Sequence, residues 1–281
     1  MKKLFAFMLG FMLVASILGA ERVVIVSEDF ENSCNLFNII QGAPCYYSGY
    51  TPNNDYPSNS PRYASGYYSI GVENGNIQMI SNTIDTSCYS DIELTLRDAA
   101  ISLYSGNGMD SGDYISIYIS PDNGITIPEI IRIYGNNNCF WSFSGGTGIA
   151  QTSYPNKLFF TSEAGGERTS DGYSKIKITN IPSTMQLKIK IWFKCDSNEL
   201  WLIDDFKLTG IPIPLSAPVI TQPTAISYEG FTAHWNAVQY ATSYSIQLST
   251  TNTFEEILWE SDPTTNLLYR VQNLEPEITY Y

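Results

Sequence analysis

The chain has 281 residues, of which 43% are hydrophobic and only 15% charged, a balance that supports a packed core and argues against disorder. Fifteen Lys and Arg against 28 Asp and Glu give a formal net charge of −13, which rules out a nucleic-acid module held by phosphate contacts and disfavours an electrostatic membrane-surface role. A single His removes most Ser-His-Asp, Cys-His and multi-His metal schemes.

Lys2 and Lys3 precede an apolar run from Leu4 to Ala20. A positive start, an apolar stretch and a small-residue end form the pattern of a secretory signal peptide, with the cut placed between Ala20 and Glu21. No later stretch is long and apolar enough to span a membrane, so the mature chain is expected to be exported, secreted or held at the cell surface, with no membrane span of its own. Five cysteines follow, at 34, 45, 88, 139 and 195, and none forms a Cys-x-x-Cys pair. In an oxidising compartment some should be bridged. Cys34 and Cys45 are nearest in sequence and flank a short polar loop, which favours that disulfide.

From residue 21 the chain reads as strands. Ile115, Ile117 and Ile119 alternate with Ser116, Tyr118 and Ser120. Met185, Leu187, Ile189, Ile191 and Phe193 alternate with Gln186, Lys188, Lys190, Trp192 and Lys194. Period two over such lengths marks a half-buried strand. Further strands are expected at 22–27, 77–80, 92–96, 130–134, 173–179 and 200–208. Turn signals separate them, including Ser105-Gly106-Asn107-Gly108, Asp122-Asn123-Gly124 and Gly165-Gly166. No segment carries a helical period. The expected class is therefore all-β, an antiparallel jelly-roll sandwich spanning 21–211.

Residues 212–217 then form a Pro-rich, stiff connector. Charge shifts across it: residues 216–281 hold seven acidic groups and only Arg270. Residues 218–281 resemble a fibronectin type III module. Pro218-Val219-Ile220 is similar to its first strand, Phe231 to Trp235 to its second with the core Trp, and Ala241 to Ile246 to its third with the core Tyr244. Leu274 to Tyr280 is similar to its tyrosine-corner segment, whose hydroxyl satisfies upstream backbone. Such a module needs roughly 100 residues, so this copy is expected to be incomplete at its C-terminal end.

Residues 21–210 more loosely resemble the MAM-like and adhesin-type jelly rolls of secreted bacterial multidomain proteins. The matching pieces are Ser27 to Glu31, Ser120 to Gly124 and Leu200 to Gly210. That resemblance implies an adhesion, glycan-binding or ancillary role. It also implies a structural calcium near the paired first and last strands. The residues placed to hold it are Glu28, Asp29 and Glu31 with Asp204 and Asp205, set against the alternative that these are ordinary solvated carboxylates. Asp204 alternates with Leu200, Leu202, Phe206 and Leu208, which points it inward and calls for a partner. Asp110 and Asp113 read as a polar turn rather than a second cation site.

Two ligand-binding candidates remain. Trp192 is a large indole between Lys190 and Lys194 on the strand face that should meet water, where it can stack on a sugar ring; the alternative is a Trp covered by a loop or another module. Seven tyrosines crowd residues 44–70, with Tyr46, Tyr47 and Tyr50 first among them. They suit sugar stacking or protein contact, or pack a long loop onto the sandwich. No nucleophile elbow, phosphate loop or dinucleotide fingerprint occurs, and no acid stands out as catalytic. The expected function is thus a non-enzymatic, secreted binding or adhesion protein. Its partner would be a polysaccharide or cell-surface glycoprotein, with the fibronectin type III part as spacer. The competing reading makes both parts accessories of a secreted hydrolase, joined to other domains of a longer protein.

Overall fold

The computed structural model describes residues 21–31, 33–104, 107–163 and 172–281. The expected signal peptide at 1–20 and the turns at Ser105-Gly106 and Gly165-Gly166 lie outside them. All described elements are strands, and the chain separates into two compact units, Ala20–Ile213 and Pro214–Tyr281.

Eleven strands build the first unit: β1 (Val23–Glu28), β2 (Phe37–Gln41), β3 (Cys45–Ser48), β4 (Tyr68–Ser81), β5 (Tyr89–Ser102), β6 (Tyr114–Ser120), β7 (Glu129–Tyr134), β8 (Ile149–Ser153), β9 (Leu158–Thr161), β10 (Lys175–Ile181) and β11 (Lys188–Pro212). They form a β-sandwich whose layers share two long strands. The 25-residue β11 pairs with β6 through its first half and with β5 through its second. On its other edge it pairs with β4 from Lys190 to Ile203, and then with β1 from Phe206 to Gly210. One layer runs β2-β4-β11-β6-β7-β9, the other β3-β4-β11-β5-β10-β8. Most pairs are antiparallel, as alternation suggested, but the edge pairs β7·β9 and β8·β10 are parallel.

The core follows from period two. Ile115, Ile117, Ile119, Ile189, Ile191 and Phe193 are fully buried between the layers, as are Trp201, Ile203, Phe206 and Leu208. The core-facing phase of β11 holds from Ile191 through Cys195 to Ile203 and changes once, after Asp204. Its register slips between Cys195 and Leu200 against β4, and again between Asp204 and Lys207 against β5. At the second slip Asp205 takes φ 50°, so the strand skips one step of its alternation. Leu200, Leu202 and Asp204 therefore point outward from the central core, while Phe206 and Leu208 point in. This corrects the single face on which alternation alone had placed all five.

Ile213 donates its N–H to Cys88 O, and Pro212 still pairs with Tyr89, so the first residues of the expected connector belong to the first unit. The second unit holds the sheet β12 (Ile220–Ser227), β13 (Gly230–Trp235), β16 (Leu268–Val271) and the pair β14 (Gln247–Leu248), β15 (Trp259–Glu260). Phe231, Trp235, Ile246, Leu248, Val271 and Tyr280 form its core. The Tyr280 hydroxyl accepts from the Glu275 N–H at 3.0 Å, and the Tyr244 hydroxyl from the Val238 N–H at 2.9 Å. The only His of the chain, His234, sits on β13 and hydrogen-bonds the Thr224 hydroxyl.

Candidate functional site: an aromatic and cationic sheet face

Because Ile191 and Phe193 face the core, Lys190, Trp192 and Lys194 must face outward. Register brings the neighbours in beside them. Trp192 lies across from Gln78 on β4 and Ser116 on β6, Lys190 across from Tyr118, and Lys194 across from Tyr114. One strand further, Ser116 opposes Arg132 and Tyr114 opposes Tyr134; one more, Arg132 opposes Phe159. The small Ser116 at the centre leaves room for the rings around it. Tyr114 meets Trp192 edge-to-face at 5.4 Å between centroids and Tyr134 at 6.3 Å. Tyr134 meets Phe159 at 6.4 Å, also edge-to-face. These are favoured aromatic geometries, so the rings hold one another in place.

Arg132 is the pillar of the patch. Its guanidinium lies 4.3 Å from the Tyr114 ring centroid and 5.4 Å from that of Tyr134. Its Nε donates to Glu129 at 2.6 Å and to Ser116 Oγ at 3.0 Å, and Nη1 donates to the Tyr134 hydroxyl at 3.2 Å. Partial burial works against its charge, but the Glu129 and Tyr134 bonds more than offset this and hold it protonated. Trp192 is half-buried, and its indole N–H has no hydrogen-bond partner among the described residues. Sequence reasoning found Lys190, Trp192 and Lys194 but missed Tyr114, Tyr118, Arg132, Tyr134 and Phe159. The signal was there: Tyr114 and Tyr118 on β6, like Tyr134 on β7, occupy the polar phase of strands whose other phase is Ile.

The tyrosines of residues 44–70 do not join this face. Tyr47 packs on the outward side of the other layer, in a cluster with Ala99, Ile101, Phe143, Leu200 and Leu202. Tyr46 pairs with Ile70, and so lies on the core-facing side of the β3 edge. Tyr50 is exposed and bridges Pro61 within its own loop. The segment covers the second layer rather than extending the Trp192 face.

Of the five carboxylates, Glu28 ends β1 across from Phe206, the residue after Asp204 and Asp205 on β11. Their oxygens are taken up by protein donors. Glu28 accepts from Leu36 N–H at 2.8 Å, and Glu31 from Tyr67 N–H at 2.8 Å. Asp29 accepts from Glu31 N–H at 3.3 Å. Asp204 accepts from the N–H groups of Ala64 and Asp205, both at 2.7 Å, and Asp205 from the Ser65 hydroxyl at 2.7 Å. Gly66, at φ 63°, makes this possible, because a Cβ there would collide with the Glu31 carboxylate. Burial pushes Asp204 up to about 6, against the pull of its N–H donors. Among the described residues no three His, Cys, Asp or Glu side chains come together in a way that could hold a metal ion. Glu31 and Asp204 thereby anchor the 64–68 segment through its N–H groups.

Cys34 and Cys45 are both thiols. Cys34 packs against the central core, where burial and the Glu28 charge push it up to about 11, whereas Cys45 is exposed. Cys45 lies across from Gly71, which lies across from Leu202, so it stands on the outward side of the layer. The sheet separates the pair that sequence proximity had joined.

A second acidic group was not legible in the sequence as a unit. Asp113 and Glu199 are both buried. Asp113 accepts from Asp110 N–H at 2.6 Å and Asp196 N–H at 3.0 Å, and Glu199 also accepts from Asp196 N–H at 3.0 Å. Burial and the neighbouring Asp113 charge push Glu199 up to about 9. The Asp196 N–H, donating to both carboxyls, and the Asp110 N–H, donating to Asp113, staple the 110–113 turn to the 196–199 turn beside Lys194.

No protein-family model matches the chain, and no curated protein matches it in sequence. Among solved structures, the K3 cleaved adhesin domain of Lys-gingipain from Porphyromonas gingivalis is similar to 67% of this chain over 99% of its own length, at 11% identity and a TM-score of 0.35. The CBM22-1 xylan-binding domain of Paenibacillus barcinonensis Xyn10C is similar to 68% of this chain over 97% of its own length, at 9% identity and a TM-score of 0.36. The CBM22-1–GH10 modules of Clostridium thermocellum xylanase 10B match 69% of this chain over 30% of theirs, at 13% identity and a TM-score of 0.35. At these scores the likeness carries no functional weight.

Proposed function

We propose that the chain is a secreted, non-catalytic glycan-binding module whose platform is the outward face of β4, β11, β6 and β7, with Pro214–Tyr281 as a fibronectin type III spacer. One observation carries the reading: Trp192 stands half-buried among lysines, braced edge-on by Tyr114, on an outward sheet face built from polar and aromatic side chains. An indole held at this angle presents a flat apolar surface to a sugar ring, while flanking lysines donate to hydroxyls or carboxylates.

The test is Trp192→Ala in the full chain, with binding to a polysaccharide panel followed by affinity electrophoresis and by quenching of tryptophan fluorescence. The parent should bind and quench; the variant should keep its circular dichroism and lose binding. A parent that binds nothing on a broad array, or a variant that binds as well as the parent, would defeat the platform.

A further inference from the structure

The platform carries more positive charge than a neutral sugar needs. Lys188, Lys190, Lys194 and Arg132 line it, against the carboxylates of Glu129 and Asp196. Both carboxylates are already engaged: Glu129 lies 2.6 Å from Arg132 Nε, and Asp196 lies 3.5 Å from Lys194 Nζ. Lys190 has no ion-pair partner among the described residues. Its ammonium lies instead 4.7 Å from the Tyr118 ring centroid and 5.4 Å from that of Trp192. Partial burial there lowers its pKa, with the Glu129 charge opposing, so the cation has given up some water without gaining an anion. In a chain with 28 acidic residues against 15 basic ones, clustering cations around this indole creates a local charge opposite to the whole.

The spacing suits a particular anion. Lys190, Trp192 and Lys194 are successive same-face positions, about 6.6 Å apart along the strand. A pyranose stacked on the indole would hold a C5 carboxylate at its rim, within reach of an ammonium on a four-carbon stem. We infer that the ligand is an anionic polysaccharide bearing uronate carboxylates, with Lys190 and Lys194 pairing to the carboxylates beside the sugar on Trp192. This rests on the platform reading and adds the substrate class to it.

The experiment compares polygalacturonate and alginate with their methyl-esterified forms, which keep the sugar and remove the charge. For the full chain the acid form of at least one should bind about fivefold more tightly, a margin typical of a partly exposed ion pair. Raising salt from about 0.05 to about 0.5 M should erode that margin. Lys190→Met, which keeps the stem over the rings, should lower affinity for the acid form by more than for the ester and so shrink the preference. Trp192→Ala should remove binding of both forms. Equal affinity for acid and ester in the parent, or a preference that survives Lys190→Met combined with Lys194→Met, would overturn the inference. If Trp192→Ala still abolishes binding in that case, the platform stands and only the anion fails. Retained binding in Trp192→Ala, or no binding of any form by the parent, would overturn both.

Discussion

Along β11, Trp192 and Leu202 both point away from the central core, yet their surroundings differ. Trp192 is half-buried beside lysines and tyrosines, while Leu202 is fully buried in a cluster with Tyr47 and Phe143. The loop between β3 and β4 turns back over the second half of the strand, and Gly71 leaves room for Leu202, whose methyl a Cβ at 71 would strike at 2.7 Å. One outward face has been turned into a minor core. The other keeps large rings at the surface and spends its polar groups on bracing them. A molecule able to cover one face and not the other points to the uncovered one as the place of contact.

The largest expected break in this comparison is Leu202→Ala. Truncating a fully buried leucine should cost about 2–5 kcal/mol in urea denaturation. Next comes Asp204→Ala, which strands the N–H groups of Ala64, Ser65 and Asp205. It should cost about 1–3 kcal/mol and open the 51–68 loop to limited proteolysis. A loop that stays resistant would show that the minor core holds it without the carboxylate.

Glu199 sharpens the comparison through pH. Its carboxyl is raised from 4.5 to about 9 in the folded chain, and Asp113 beside it is raised as well. The folded state therefore keeps a proton that the unfolded state releases above about 4.5, so stability should fall as pH rises from about 5 towards 9. Asp204, raised to about 6, contributes only to the lower part of that fall. Glu199→Gln should flatten the slope in urea melts taken across this window; an unchanged slope would mean that Glu199 does not hold that proton. Trp192→Ala loses the edge-to-face contact with Tyr114, worth about 0.5–1.5 kcal/mol, on top of the apolar area its half-buried ring hides, and should cost less than Leu202→Ala. A cost near that of Leu202→Ala would make Trp192 a core residue and end the contrast.

Alternation made β6 and the first half of β11 legible, because their isoleucines never break phase, whereas in β7 the adjacent Ile130 and Ile131 are both buried at a register slip. It failed past Asp204, where one register slip leaves Leu202 and Leu208 on opposite sides although their spacing is even. No local signal announces such a slip except Asp205, an acidic residue able to adopt positive φ. Trp192 was found because it is a misfit in its own strand. Its partners Tyr114, Arg132 and Phe159 were not, since pairing order is a property of the sheet and not of any one segment. The donors to Glu31 and Asp204 were not legible, because the N–H groups of 64, 65, 67 and 68 come from a loop with no recognisable pattern. Proximity in sequence also misled for Cys34 and Cys45, because a strand edge lies between them.

The second half of β11 is hydrogen-bonded on both edges, by β1 and by β5, and leads directly through Pro212 into the C-terminal unit. A tether pulling through that unit would load the strand lengthwise. Antiparallel neighbours on both sides would share the load in shear across all their bonds at once, instead of yielding one bond at a time as a peeled edge strand does. Tension entering at Ile213 would thus meet the most heavily paired strand of the sandwich, on the same continuous piece of backbone that carries Trp192.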